Sequence, residues 1–327
     1  MAEAAVSRAT RSRLLSGNAL PVVIFLVFAL VPLAATFKAE AYVLSLVTRV
    51  MIFAIAALAL DLLIGYGALV SFGHAAFVGL GAYAVGILAS HGVGDALISL
   101  PVALAVSALF ALATGIVCLR TRGVYFIMIT LAFGQMAYFT ASSLAPYGGD
   151  DGLTVRMRST VAGLPVFAND RALYYICLLA LLGAYLLCRA LAASRFGRVY
   201  RGARENALRM GTIGFDVYRF QLVAYVIAGM LGGLSGFLLA NATEFVSPAY
   251  MSWQRSGELL IMVIFGGIGT FNGAIIGAAA FLLTEEWLSG ITEHWKVIFG
   301  PLLVFVAVFA RGGLIGVAEK LRRMLRG

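Results

Sequence analysis

The chain has 327 residues, 62% of them hydrophobic and 12% charged, with a mean hydropathy of +0.97. A water-soluble domain would carry about 25% charged residues, so composition excludes one and points to a polytopic helical membrane protein. The formal net charge of +9 is therefore read through membrane topology rather than through nucleic acid, because basic residues collect in cytoplasmic loops.

In chain order, a basic tail over 1–19 with Arg8, Arg11 and Arg13 precedes the first apolar run. Ala39-Glu40-Ala41 offers a signal-cleavage site, but further spans follow and an uncleaved first span is favoured. Ten candidate spans are predicted: Leu20–Phe37, Tyr42–Ile64, Ser71–Ser90, Ala96–Leu119, Val124–Ser143, Ala172–Leu191, Phe220–Asn241, Gly257–Ile268, Asn272–Trp287 and Val297–Ala310. The eighth is short, so the fold class is all-α with about eight to ten transmembrane helices filling 20–310. Alternating sides from a cytoplasmic N-terminus puts 17 basic residues inside and six outside, which places both termini, including a basic tail over 311–327, in the cytoplasm.

Two outer connections are long enough to present a docking surface. Leu144–Arg171 carries Asp150 and Asp151 among glycines, and Ala242–Ser256 carries Ser247 and Tyr250 around Pro248. Glycine-rich breaks at membrane depth appear at Gly65-Tyr66-Gly67 through Ser71-Phe72-Gly73-His74 and again at Gly266 to Gly273, which includes Thr270 and Asn272. Interrupted helices mark a substrate path where they line a wet cavity, and close helix packing on small residues is the alternative. On the fifth span Thr130, Gln135 and Tyr138 are polar in an apolar setting and suit either a solute path or hydrogen bonding between helices.

No phosphate loop, zinc-protease motif, serine-hydrolase elbow or Cys/His cluster is present, so neither catalysis nor ATP hydrolysis is expected of this chain. Cys118, Cys177 and Cys188 read as small core residues. Among ionisable residues in spans, Asp61 lies near an inner end and Glu258, Glu285 and Glu286 near outer ends, so none stands midway as an ion-coupled carrier would require. His74 reads as a hydrogen-bonded structural residue in preference to a proton relay.

Ser194–Asp216 holds five arginines between Arg195 and Arg209. Wound as one helix from Gly197 to Met210, it sets Val199, Ala203, Ala207 and Met210 on one face and Arg198, Arg201, Glu205 and Arg209 on another. Contact with anionic membrane lipid would need only the charge. The apolar face, a turn at Arg204-Glu205-Asn206 and a bend at Gly211 to Gly214 suit docking into a cleft on another protein.

Four passages in this order, Leu60–Tyr83, Arg195–Gly236, Phe245–Pro248 and Gly266–Ala278, resemble the permease subunits of branched-chain (hydrophobic) amino-acid ABC importers, of the LivM type. The resemblance implies an importer permease of the second type in the bacterial inner membrane. It implies a second permease as heterodimer partner, two cytoplasmic ATPases that carry ATP and Mg²⁺, and a periplasmic solute-binding protein; this chain itself would bind no cofactor and no metal. Gly197, Arg198, Arg201, Arg204, Glu205, Asn206 and Gly214 would then contact the ATPase, and Tyr66, Phe72, His74, Thr130, Gln135, Thr270 and Asn272 would border the path. The chain departs from the family pattern at Asp61 and Ala274, and relatives carry urea, amides or aromatic acids. An ion-driven carrier acting alone, or a scaffold without transport, is the competing expectation.

Overall fold

A computed structural model describes residues 20–33, 40–155, 158–291, 294, 297, 299–301 and 312–316. The predicted 1–19 tail, most of the 311–327 tail and most of the tenth span lie outside them. The described helices are α1 (Leu20–Leu33), α2 (Glu40–Gly67), α3 (His74–Ser90), α4 (Ala96–Cys118), α5 (Val124–Ser143), α6 (Asp170–Ala193), α7 (Arg195–Thr212), α8 (Val217–Thr243), α9 (Trp253–Gly266) and α10 (Phe271–Ser289).

The helix at the centre is α2. From Val50 to Gly65 every residue is buried, because the run is apolar all round apart from Asp61 and offers no polar face to turn outward. Helices α6, α8, α9 and α10 surround it. Lipid is as apolar as leucine, so close packing rather than water exclusion must hold such a bundle together. The α3–α8 contact shows how: Gly81 lies against the Gly233 backbone, and a Cβ at Gly236 would overlap the Val78 carbonyl. These glycines therefore serve the close packing of α3 on α8. By contrast α5 buries only Phe126, Thr130, Gly134, Ala137 and Ala141, and turns Tyr125, Met128, Met136 and Phe139 outward.

Five described helices, α2, α4, α5, α6 and α8, are long and apolar enough to cross a bilayer, while α1 and α3 are apolar but shorter. Helices α9 and α10, predicted as separate spans, are a pair bent by 117° at the break Gly267–Thr270 and bring the count to six if taken as one span. Gly267 and Gly269 make that turn at φ +120° and +79°, where a Cβ would be strained. Both limbs reach back toward the start of α2, since α10 ends where Glu285 pairs with Arg49 at 3.9 Å and Glu286 accepts from the Tyr42 hydroxyl at 2.6 Å.

At this same end of the bundle the two long connections join. β1 (Leu153–Thr154) pairs antiparallel with β2 (Phe245–Val246), Leu153 opposite Val246. Arg158 ties the platform with ion pairs to Asp170 at 2.5 Å and Glu244 at 2.8 Å, and the Asn241 side chain accepts the Ser159 N–H at 2.8 Å. Changing Arg158 to Gln removes both ion pairs. It is expected to weaken loop closure by about 1–2 kcal/mol, read as faster protease nicking between 150 and 171 in detergent.

Candidate functional site

The opposite end of the bundle carries α7. Ser194 opens it, its hydroxyl accepting the Gly197 N–H at 3.3 Å. The helix wound from Gly197 breaks at Asn206, within the expected Arg204-Glu205-Asn206 turn: Asn206 sits at φ −155°, ψ 96°, and its side chain accepts the Arg209 N–H at 2.9 Å. Asn206 thus caps a second short helical piece, as the capping preference of asparagine allows. This piece folds back far enough that Met210 lies against Gly202.

The first piece is a stem bound to the bundle. Gly197, Val199, Tyr200 and Ala203 are buried, with Gly197 pressed on the Leu191 and Ala192 carbonyls and Tyr200 beneath Gly67. Burial raises the pKa of the Tyr200 phenol, which stays neutral. The single charged face expected of Arg198, Arg201, Glu205 and Arg209 is split. Arg201 turns inward, donating to the Ala192 carbonyl at 2.8 Å, with its guanidinium 5.6 Å from the centre of the Tyr66 ring. Arg204 donates to the Gly65 carbonyl, and Arg198 to that of Ala193 at 3.4 Å. Arg198, Arg201 and Arg204 keep exposed surface while making these bonds, as Glu205 and Arg209 do.

The second piece is a tip. Leu208 is 80% exposed, and Ile213 and Phe215 stand exposed beside Gly214, which turns the chain at φ +97°. Sequence reasoning missed Leu208, because the expected apolar face ran through Ala207 and Met210. Asn206 followed by a helix-forming stretch was the available signal.

The structure sorts the predicted path residues into two groups. Tyr66, Thr270 and Asn272 gather at the α7 end, where Tyr66 stacks on Phe271 at 4.8 Å and the Thr270 hydroxyl donates to the Gly267 carbonyl at 2.6 Å. Asn272 is half-buried, with no hydrogen bond to its side-chain oxygen. The other group lies deeper. The Ser235 hydroxyl of α8 donates to the Ile52 carbonyl, and Gly232, one turn earlier on α8, faces His74. So α3 begins roughly 18 Å in from the end of α2. The non-helical stretch 68–73 climbs that distance, within the reach of an extended chain.

Thr130 of α5 holds it, accepting the Phe72 N–H at 3.2 Å, while Ser256 of α9 accepts the Ala75 N–H at 3.1 Å. His74 is fully buried, edge-on to Phe77 at 5.4 Å, and its ring faces the backbone of Ala56. Gln135 is half-buried farther along α5. A small space lined by Phe53, Ala75, Tyr250 and Leu259 has a volume of about 10 Å³, close to the room of a single water.

Larger spaces lie at the two ends. One of about 1060 Å³ is roofed by Thr154, Arg158, Asp170 and Glu244, and one of about 320 Å³ lies between Leu69, Thr121, Phe126 and Ala203. Of the predicted docking residues, Asp150 and Asp151 are exposed on the platform. Ser247 caps Pro248–Met251 by accepting the Ala249 N–H at 3.3 Å. Tyr250 is half-buried, its hydroxyl 3.5 Å from the Phe245 carbonyl. Of the charges found in spans, Glu258 is paired with Arg255 at 2.6 Å and Glu285 with Arg49 at 3.9 Å near this end, while Asp61 lies at the other. Among the described residues no group of His, Cys, Asp or Glu could hold a metal, and the three cysteines are buried and free.

Comparison with known proteins places these features. Residues 42–307 match the family described as branched-chain amino acid transport system / permease component. The chain is 25% identical to the LivM high-affinity branched-chain amino acid transport permease protein of Escherichia coli (strain K12), over 96% of this chain and 79% of that protein. It is 26% identical to LivM of Salmonella typhimurium over 86% and 71%. It is 28% identical to the autoinducer 2 import permease protein LsrC of an Enterobacter species over 64% and 60%. No solved structure matches. A bundle of apolar helices matched over most of its length by permease components belongs to that family: the chain is a multi-pass inner-membrane permease subunit of an ABC importer, and not an enzyme.

Proposed function

We propose that this subunit imports branched-chain or similar hydrophobic amino acids by alternating access, with α7 as the element that a cytoplasmic ATPase moves. The α7 end is then cytoplasmic, as are both termini, and the β1–β2 platform faces the binding protein. The observation that carries this reading is the two-part α7: a stem bonded to the Gly65–Gly67 end of α2, and a tip that leaves Leu208, Ile213 and Phe215 without cover.

An apolar tip on a basic stem suits a cleft on a partner, whereas a lipid contact needs only charge. The remaining assembly is a second permease against an outward face such as that of α5, two ATPases holding ATP and Mg²⁺, and a binding protein over Asp150 and Asp151. Alternation between the cavities at the two ends, with only about one water's room around Tyr250 and Leu259, fits a path that opens to one side at a time. Amino acids are favoured over nucleosides because the amino-acid permeases align over 86% and 96% of this chain, against 27% for the nucleoside permease protein of Lactococcus lactis.

The test is uptake of radiolabelled leucine into vesicles holding this chain with the permease and ATPases encoded beside it, plus their binding protein. Uptake that requires both ATP and the binding protein is expected. Uptake by this chain alone, driven by an ion gradient, would overturn the proposal.

A further inference from the structure

Asp61 has no exposed surface and stands on the most deeply buried helix of the bundle. A carboxylate in such a place is costly to keep, and it persists where it is bonded to something that must be held. Its Oδ1 accepts the Gly269 N–H at 2.7 Å, while Oδ2 has no hydrogen-bond partner. Gly269 belongs to the apex of the α9–α10 pair, 208 residues away in sequence.

One turn beyond Asp61, Gly65 lies so close to Gly269 that a Cβ there would overlap its backbone, and the Gly65 carbonyl receives the Arg204 guanidinium. The next residue, Tyr66, stacks on Phe271 of α10 with ring planes 9° apart and takes the Arg201 guanidinium 5.6 Å from its ring centre. Within one turn, therefore, the end of α2 is gripped by α7 and is itself joined to the apex. The backbone contacts between glycines set how close the apex can come but supply no directional bond. The Asp61 hydrogen bond supplies one.

We propose that Asp61 is a positioning residue of the transport cycle: by holding the Gly269 apex on the end of α2 that Arg201 and Arg204 grip, it makes the α9–α10 pair follow when α7 is displaced. This rests on α7 being the element that the ATPase moves. Relocating a rigid bent pair whose limbs reach back to Arg255 and Glu285 carries the motion from one end of the bundle to the other. The α9 limb also bonds the start of α3 through Ser256.

The experiment uses the whole complex with its ATPases, carrying spin labels on cysteines at exposed positions. A pair at Arg195 and Leu109 reads α7 against α4, and a pair at Leu283 and Leu109 reads α10 against α4. Both distances are measured without nucleotide and with ATP plus vanadate. In the parent complex both are expected to shift. In Asp61→Leu the α7 shift remains and the α10 shift is lost, with ATP hydrolysis continuing while uptake falls. Asp61→Asn, whose amide oxygen still accepts from Gly269, restores the α10 shift, which a general loss of stability would not allow.

Asp61→Ser, too short to reach Gly269, serves if the leucine variant does not assemble, and behaves as that variant does. An α10 shift that persists in Asp61→Leu or Asp61→Ser, or that is absent from the parent complex while α7 moves, overturns the role given to Asp61. An α7 label that never responds to nucleotide overturns the ATPase-coupling reading as well.

Discussion

Replacing Gly236 with leucine is expected to abolish the folded, detergent-stable protein. Gly236 is on α8 where it crosses α3, and a Cβ there would overlap the Val78 carbonyl and stand 2.8 Å from the Ala82 nitrogen. The obstacle is the backbone of a neighbouring helix, which cannot turn aside as a side chain can. Overpacking in a core costs about 1–3 kcal/mol where side chains can adjust. Here α3 and α8 must move apart, and with them go the Gly81–Gly233 approach and the Ser107 hydroxyl bond to the Phe77 carbonyl at 3.3 Å.

The control is Gly183→Leu on α6, where a Cβ would meet nothing within 4 Å. Leucine favours a helix over glycine by roughly 0.5–1 kcal/mol, so that variant should hold or gain stability. Size-exclusion traces of fluorescent fusions, followed by thermal midpoints, separate the two. Equal behaviour of both variants would mean that the α3–α8 glycine contact does not hold the bundle.

Leu208→Asp is expected to leave insertion, yield and thermal midpoint unchanged and to eliminate ATP-driven uptake. Leu208 is 80% exposed, so the folded subunit loses almost no contact when it changes. Covering a leucine in an interface contributes about 1.5–3 kcal/mol. Placing a carboxylate in the same apolar cleft adds a desolvation cost of at least a few kcal/mol, so binding of the ATPase should fall beyond detection in pull-down. Arg195→Ala, an exposed charge on the stem away from the tip, should change uptake little, since exposed ion pairs contribute about 0–1 kcal/mol. Normal leucine uptake by the Leu208→Asp complex would remove the tip from the mechanism.

Several particulars were legible in the sequence, and each has a local cause. The bounds of α5 were read as Val124–Ser143 and are those found, because apolar content, flanking glycine and the following Ala145-Pro146 are all neighbours in the chain. The break at Gly267–Thr270 was legible because a turn at positive φ needs glycine. Other features were not legible, for an equally definite reason. Asp61 could be counted among charged residues near an inner end, but its bond to Gly269 joins positions with no periodic relation. Arg201 looked like part of one charged face with Arg198, Glu205 and Arg209, since helical spacing assigns faces without saying which face meets the bundle.

The sequence by itself determined the class of the protein: long apolar runs leave a bilayer as the solvent in which the chain can satisfy its backbone. It also determined where helices stop, because glycine, proline and asparagine act on the backbone of their own segment. Only the tertiary structure decided which breaks lie together, which arginines turn inward, and that the two outer connections form one sheet. Those outcomes depend on van der Waals contact and single hydrogen bonds between segments far apart in the chain, and in a uniformly apolar sequence nothing local distinguishes the partner that will be met.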